Sequence, residues 1–147
     1  MTHTEIIQVL SGFVGSIGFG LLFNIRGRRL CFAAIGGLMS WLLFVLLGRF
    51  IDNEAVNYFI VALAVSVYAE IMARVLKTPT TALITTSLIP LIPGGSLYYT
   101  MAYAFGSDSA RFVDKGVHTL QLASALALGI IVATTFFNLL NHGRKTK

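Results

Sequence analysis

Hydrophobic residues dominate five long stretches of the chain, and short polar segments separate these stretches. A membrane-spanning helix needs roughly 20 mostly apolar residues, and each stretch reaches or approaches that length. The pattern therefore predicts an all-α, polytopic membrane protein with one transmembrane domain over residues 1–147. The predicted transmembrane helices cover about residues 6–23, 30–47, 55–76, 80–105 and 117–140.

The fourth stretch is interrupted near its middle by the sequence IPLIPGGS at residues 89–96. Proline has no amide hydrogen to continue the helical hydrogen bonds, and the two glycines add flexibility at the same point. In hydrocarbon an unpaired backbone group is costly, so a broken helix is tolerated only inside protein or beside a water-filled cavity. We therefore predict that the fourth helix is broken near the bilayer centre and that the break marks a site.

The ends of the two predicted half-helices carry opposite partial charges. Carbonyl groups end the first half and amide groups begin the second, so together they suit the ammonium and carboxylate groups of a zwitterion. The competing interpretation is a structural proline kink whose freed carbonyls accept hydrogen bonds from Thr85 or Ser87. The predicted substrate-binding residues are Thr86, Pro90, Pro93, Gly94, Gly95 and Ser96.

Glu70 is the one carboxylate well inside an apolar stretch. Ionisable residues are costly in a membrane and often serve ion or proton pathways, which makes Glu70 the candidate for proton coupling. Arg74 lies four residues later, at the spacing of a helical ion pair. A structural salt bridge between the two residues is the alternative explanation.

Composition agrees with a membrane protein, since 56% of the residues are hydrophobic, 12% are charged and the mean hydropathy is +0.79. The net charge of +5 does not indicate a nucleic-acid partner, because the basic residues are scattered between the apolar stretches. Eight of the eleven Lys and Arg lie at or directly after the ends of the first, third and fifth stretches, so the positive-inside rule places the N-terminus outside and the C-terminus inside the cell membrane. These eight are Arg26, Arg28, Arg29, Arg74, Lys77, Arg144, Lys145 and Lys147.

Small residues recur at intervals of four in the first, second and fifth stretches, which predicts close helix packing and also permits a homo-oligomer. The fifth stretch carries a loose polar stripe, and Trp41 in the second is interpreted as a packing or lipid contact. The small residues are Gly12, Ser16 and Gly20, then Ala33, Gly36, Gly37 and Ser40, then Ala125, Gly129 and Ala133. The polar stripe consists of His118, Gln121, Ser124, Thr135 and Asn138.

The sequence lacks the motifs of several other functions. It has no ATP-binding G-x-x-x-x-G-K-[ST] loop, and neither His-Glu-x-x-His nor G-x-S-x-G is present to suggest an enzyme. The single cysteine, Cys31, excludes an intramolecular disulfide and a cysteine-built metal cluster. We therefore predict no enzymatic activity, no cofactor and no metal site.

Several segments resemble the small half of the threonine/serine exporter family. They are FGLLFN at residues 19–24, Arg28-Arg29-Leu30, Pro79 and, above all, IPLIPGGSLY at residues 89–98. Single-chain members of that family have ten helices behind a soluble hydrolase-like part, and split members divide the helices between two polypeptides. This chain resembles the last five helices, and the specific part of the resemblance covers Pro90, Pro93, Gly94 and Gly95.

The resemblance implies a subunit of a secondary transporter that exports a small polar metabolite such as threonine or serine. Its expected partners are a complementary large membrane subunit, the small-molecule substrate and the lipid bilayer. The alternative is an accessory or assembly membrane protein without its own substrate site, whose small-residue faces stabilise a partner.

Overall fold

The computed structural model describes residues 3–106 and 108–145, and it describes side chains as far as Leu140. Of the predicted cytoplasmic tail, Lys147 and the side chains of Arg144 and Lys145 therefore lie outside the described residues. The described part of the chain is helical and contains no strand. Its helices are α1 (His3–Leu22), α2 (Arg28–Leu47), α3 (Glu54–Leu76), α4 (Thr80–Leu88), α5 (Gly94–Phe105) and α6 (Ser109–Lys145), with a 3-10 turn at Ile89–Leu91 between α4 and α5.

Four of the described helices are long and apolar enough to cross a membrane, and a bent pair makes a fifth candidate span. The pair consists of Thr80–Leu91 and Gly94–Phe105, whose axes differ by 62°. The predicted all-α, polytopic fold with a broken fourth helix is therefore confirmed.

The direction of α6 shows that the broken segment crosses the bundle. Near the start of α6, His118 Nε2 lies 3.3 Å from Oε2 of Glu54, the first residue of α3. Near the other end, Arg74 Nη2 in the last turn of α3 lies 3.5 Å from the carbonyl oxygen of Phe137. Because α3 and α6 thus run parallel, the α4–α5 segment must return the chain from one end of the bundle to the other.

The last helix is longer than the apolar stretch that predicted it, since it begins at Ser109 instead of about residue 117. The Asp108 carboxylate caps its start by accepting a hydrogen bond of 3.1 Å from the Arg111 amide. Charged residues such as lysine and arginine are good helix formers although they are not apolar. The predicted loop at residues 106–116 is consequently helical from Ser109 onward.

The buried core surrounds α3, which packs against α2, α4 and α6. Val61, Val65 and Ala69 on its inner face are completely excluded from solvent. The short helix α5 packs on the first part of α6, where the hydroxyls of Thr100 and Thr119 lie 3.1 Å apart. This arrangement attaches the second half of the broken span to α6 instead of to the core.

Small residues allow the helices to approach closely, as their spacing predicted. Gly37 of α2 lies against Ser16 of α1, and Gly36 of α2 lies against Ser87 of α4, with no space for a methyl group at either glycine. The Ser87 hydroxyl also donates a hydrogen bond of 3.4 Å to the Ala33 carbonyl of α2. These contacts hold α1, α2 and α4 together close to the break, since Ser87 lies two residues before the 3-10 turn.

Candidate functional site

The break consists of the 3-10 turn at Ile89–Leu91 followed by Ile92 and Pro93, which are not helical. The Ile92 amide donates to the Ile89 carbonyl at 3.2 Å, so this carbonyl has a partner although Pro93, four residues later, offers it no amide hydrogen. The Ser87 hydroxyl is used in the contact with α2, and the Thr86 hydroxyl donates to the Ala82 carbonyl at 2.7 Å. The Ser87 hydroxyl therefore does not donate to a carbonyl freed by proline, the role that the kink interpretation gave to Thr85 or Ser87.

Pro90 faces a groove between α1 and α2. The groove has a volume of about 300 Å³ and its residues include polar side chains of α1 and the Trp41 ring of α2. Ligand sites in proteins usually occupy roughly 300–1,000 Å³, so the groove is at the small end of that range. We call this space the break groove; its residues are Gln8, Ser11, Gly12, Gly15, Trp41, Ile89 and Pro90.

A second cavity, of about 470 Å³, adjoins the break groove because Gln8 and Trp41 line both spaces. It lies where α1 begins, α2 ends and α3 begins, and we call it the charged cavity. The charged cavity thus lies at one end of the bundle, and the break groove lies beside the break. The residues of the charged cavity are Glu5, Gln8, Trp41, Phe44, Val45, Gly48, Arg49, Ile51, Asp52, Glu54 and Asn57.

The predicted substrate-binding residues do not line one common space within this chain. Pro90 faces the break groove, whereas Thr86 is fully buried beside Gly20 of α1. Gly94 and Gly95 are exposed, and no atom would lie within 4 Å of a side chain added at either position. Pro93 and Ser96 are half-buried between these two regions.

The start of α5 leaves backbone amides accessible. The Gly94 amide donates to the Ile92 carbonyl at 2.6 Å, and the Leu97 amide donates to the Pro93 carbonyl at 3.0 Å. Gly95 and Ser96 lie in the first turn, where an amide has no acceptor within its own helix. The partial positive charge expected at this end of α5 is therefore present on an open face of the chain.

Glu70 is buried but lines neither the break groove nor the charged cavity. Its carboxylate Oε2 lies 3.8 Å from Nη2 of Arg74, as the ion-pair interpretation predicted. Arg74 additionally lies over the Phe137 ring, 4.6 Å from the ring centroid. The structure thus pairs Glu70 with Arg74, which contacts α6 at Phe137, and places Glu70 outside both cavities.

Sequence reasoning missed the α1 side of the break groove, which includes the polar side chains of Gln8 and Ser11. Gln8, Ser11, Gly12 and Gly15 are spaced i, i+3, i+4 and i+7, which places them on one helix face. The spacing in the sequence could therefore have indicated that these four residues line a common surface. Trp41, interpreted as a packing or lipid contact, lies in both cavities, and its buried Nε1 has no hydrogen-bond partner among the described residues.

The polar stripe of α6 is divided by the structure. His118 contacts Glu54, whereas Gln121, Ser124, Thr135 and Asn138 are exposed on one side of the helix. In a membrane such side chains are usually found where helices meet, because they can form hydrogen bonds across the contact. Among the described residues, no helix covers this side of α6.

Comparison with known families supplies an independent finding. Residues 8–136 match the model of the family described as "Threonine/Serine exporter, ThrE". Comparisons with curated proteins and with solved structures gave no significant match. The matched region contains the break, the whole of the break groove and most of the charged cavity.

Proposed function

The chain belongs to the threonine/serine exporter family, and from this premise we propose that it is one subunit of a secondary transporter that exports threonine or serine. Membership of the family makes it a multi-pass membrane protein of an amino-acid exporter. The identity of the amino acid, the two-subunit arrangement and the location in the cytoplasmic membrane belong to the proposal.

The observation that carries the proposal is the broken helix beside a mostly apolar groove that holds Gln8 and Ser11 and adjoins a charged cavity. Transporters commonly bind substrate where a discontinuous helix presents its carbonyl and amide ends. Pro90 forms one wall of the break groove, and Gly95 and Ser96 begin the following helix. A substrate in the groove would have the hydroxyl of Ser11 and the amide of Gln8 within the same lining.

A complementary large membrane subunit would complete this site. Gly94 and Gly95 face open space, and the polar side chains of α6 from Gln121 to Asn138 are uncovered. Polar backbone in hydrocarbon must be covered by protein or water, so both surfaces suit contact with further helices. We propose that the partner covers the open face of the break and the exposed side of α6.

The proposal is tested by reconstitution. The chain is purified from native membranes together with the multi-pass protein that remains bound to it, and each subunit is also purified alone. The complex should release radiolabelled L-threonine or L-serine from proteoliposomes, whereas neither subunit alone should do so. Efflux by the larger subunit alone at the rate of the complex would favour the accessory role, and a complex that releases neither amino acid would contradict the proposed substrate.

A further inference from the structure

The charged cavity contains an ion pair that joins two helices. Arg49, directly after the end of α2, donates from Nη2 to Oε2 of Glu5 in the first turn of α1 at 2.7 Å. Gln8, one turn further along α1, connects this cavity to the break groove. The ion pair thus lines a cavity that shares Gln8 and Trp41 with the break groove.

This ion pair can exchange partners at small cost. The side chains of Arg49 and Glu5 are 46% and 25% exposed, and ion pairs in contact with water contribute little to stability. A guanidinium group can hold any carboxylate through two parallel hydrogen bonds. The carboxylate of a bound amino acid is therefore chemically equivalent to Glu5 as a partner for Arg49.

Asn57 supplies a second, independent feature of the same cavity. It is 3% exposed, and its Nδ2 donates to the Phe44 carbonyl at 3.0 Å. Its Oδ1 is buried and has no hydrogen-bond partner among the described residues. A buried acceptor without a donor is costly, and an ammonium group is a strong donor.

We propose that the charged cavity is a second, exit-side binding site for the exported amino acid and that the Glu5–Arg49 ion pair is its gate. Arg49 leaves Glu5 and binds the substrate carboxylate, while Asn57 Oδ1 and the nearby Asp52 carboxylate receive the ammonium group. The pair then re-forms behind the departing substrate. The inference rests on the proposed export function and adds to it a site separate from the break.

Two substitutions distinguish a gate from a structural clamp, because they have opposite consequences only for a gate. In the reconstituted complex, Glu5→Gln removes the competitor of the substrate, so the half-saturation concentration of L-threonine for exchange from the cavity side should fall several-fold. Arg49→Gln removes the carboxylate partner, so the same concentration should rise roughly ten- to a hundredfold. Changes in the same direction, or no change in either variant, would overturn the proposal.

Arg111→Gln is the matched control. Arg111 also belongs to an ion pair, since its Nε lies 3.4 Å from Oδ2 of Asp108, but it lines neither cavity. The substitution removes one positive charge from the same end of the bundle but changes neither cavity. The half-saturation concentration of L-threonine should therefore stay at the wild-type value.

A labelling experiment tests the gate without transport. Cys31→Ser removes the native thiol, and Gln8→Cys then places a thiol at the junction of the two cavities. A membrane-impermeant maleimide should label position 8 faster when Glu5→Gln is added, and an unchanged rate would overturn the gating role. If the wild-type complex exchanges no L-threonine, the proposed function and the exit site fail together, whereas normal exchange with same-direction variants removes the exit site alone.

Discussion

Glu70 has two proposed roles, proton coupling and an ion pair with Arg74. Removing its charge separates them only if Arg74 keeps its position. The distance of 3.8 Å to Arg74 is longer than a hydrogen bond, so the carboxylate contributes mainly charge to this pair. Arg74 has further contacts with the carbonyl and the ring of Phe137, and these do not require a carboxylate. Arg74 should therefore keep its position when Glu70 is neutral.

For this reason we expect Glu70→Gln to separate coupling from assembly. Glutamine keeps the size of the side chain but cannot titrate, so the variant should lose accumulation driven by a proton gradient while retaining exchange of L-threonine and complex formation. The measurement is uptake into proteoliposomes with and without an imposed pH difference. Asp114→Asn, which neutralises an exposed carboxylate near the start of α6, is the control and should behave as wild type. Wild-type pH dependence in Glu70→Gln would rule out the coupling role.

At the level of helices, the two prolines of the break destabilise a continuous helix from α4 to α5. Proline inside a helix costs about 3 kcal/mol relative to alanine, so two prolines strongly favour the interruption. Pro79, by contrast, stands immediately before α4, where proline costs little because the first amides of a helix have no intrahelical acceptor. Pro79 therefore serves as the control for substitutions at Pro90 and Pro93.

Pro90→Ala/Pro93→Ala should restore two amide donors and favour a continuous helix from α4 to α5. The half-helix ends would then disappear, so the variant should assemble with its partner but lose L-threonine binding at the break, and only the binding in the charged cavity should remain. Binding is measured by calorimetry on the purified complex, and assembly by size-exclusion chromatography. Pro79→Ala should leave both unchanged. Binding of L-threonine with both the stoichiometry and the affinity of the wild type in the assembled double variant would show that the break is only structural.

The contact between α3 and α6 depends on Gly129. A β-carbon at this position would lie 2.7 Å from the Phe59 carbonyl oxygen and 2.8 Å from the Ala62 side chain. Backbone atoms cannot move aside as a flexible side chain can, so the two helices would have to separate.

Gly129→Ala should accordingly destabilise the protein by about 1–3 kcal/mol, the usual cost of overpacking. Thermal unfolding in detergent, followed by circular dichroism, measures the effect as a lower midpoint. Gly18→Ala is the matched control, because nothing lies within 4 Å of a side chain added there. A midpoint for Gly129→Ala equal to that of the control would contradict the close packing of α3 and α6.

For the whole molecule, the parallel course of α3 and α6 and the distribution of charge together define a topology. The ends of α1 and α3 and the start of α2 carry Arg26, Arg28, Arg29, Arg74 and Lys77. The opposite end carries fewer basic residues and five of the six acidic residues, which are Glu5, Asp52, Glu54, Asp108 and Asp114. The positive-inside rule then places the charged cavity on the outer side.

We therefore expect a reporter fused after Lys147 to be cytoplasmic and one fused before Thr2 to be external. Paired phosphatase and fluorescent-protein fusions report the two sides, because each is active in only one compartment. Additional fusions at residues 77–79 and 106–108 should read cytoplasmic and external, respectively, if the bent pair is one span. An external reading for Lys147 would overturn the five-span arrangement.

The sequence by itself determined the all-α polytopic fold, the break and the small-residue contacts, because these depend on local chemistry. The length of each apolar stretch decides whether that stretch can span the bilayer, and each proline removes a hydrogen-bond donor from its own helix. Only the helix ends that contain charged residues were misjudged, since the prediction relied on hydrophobicity and the charged start of α6 is helical.

The tertiary structure alone decided which polar groups share a cavity. Whether Gln8 meets Trp41, or Glu5 meets Arg49, depends on how α1 and α2 are rotated and how deeply the break packs against them. The same packing separates Thr86 from Gly94 and Gly95, although they lie within ten residues of one another. Such relations join residues that are distant in sequence, so no local pattern contains them.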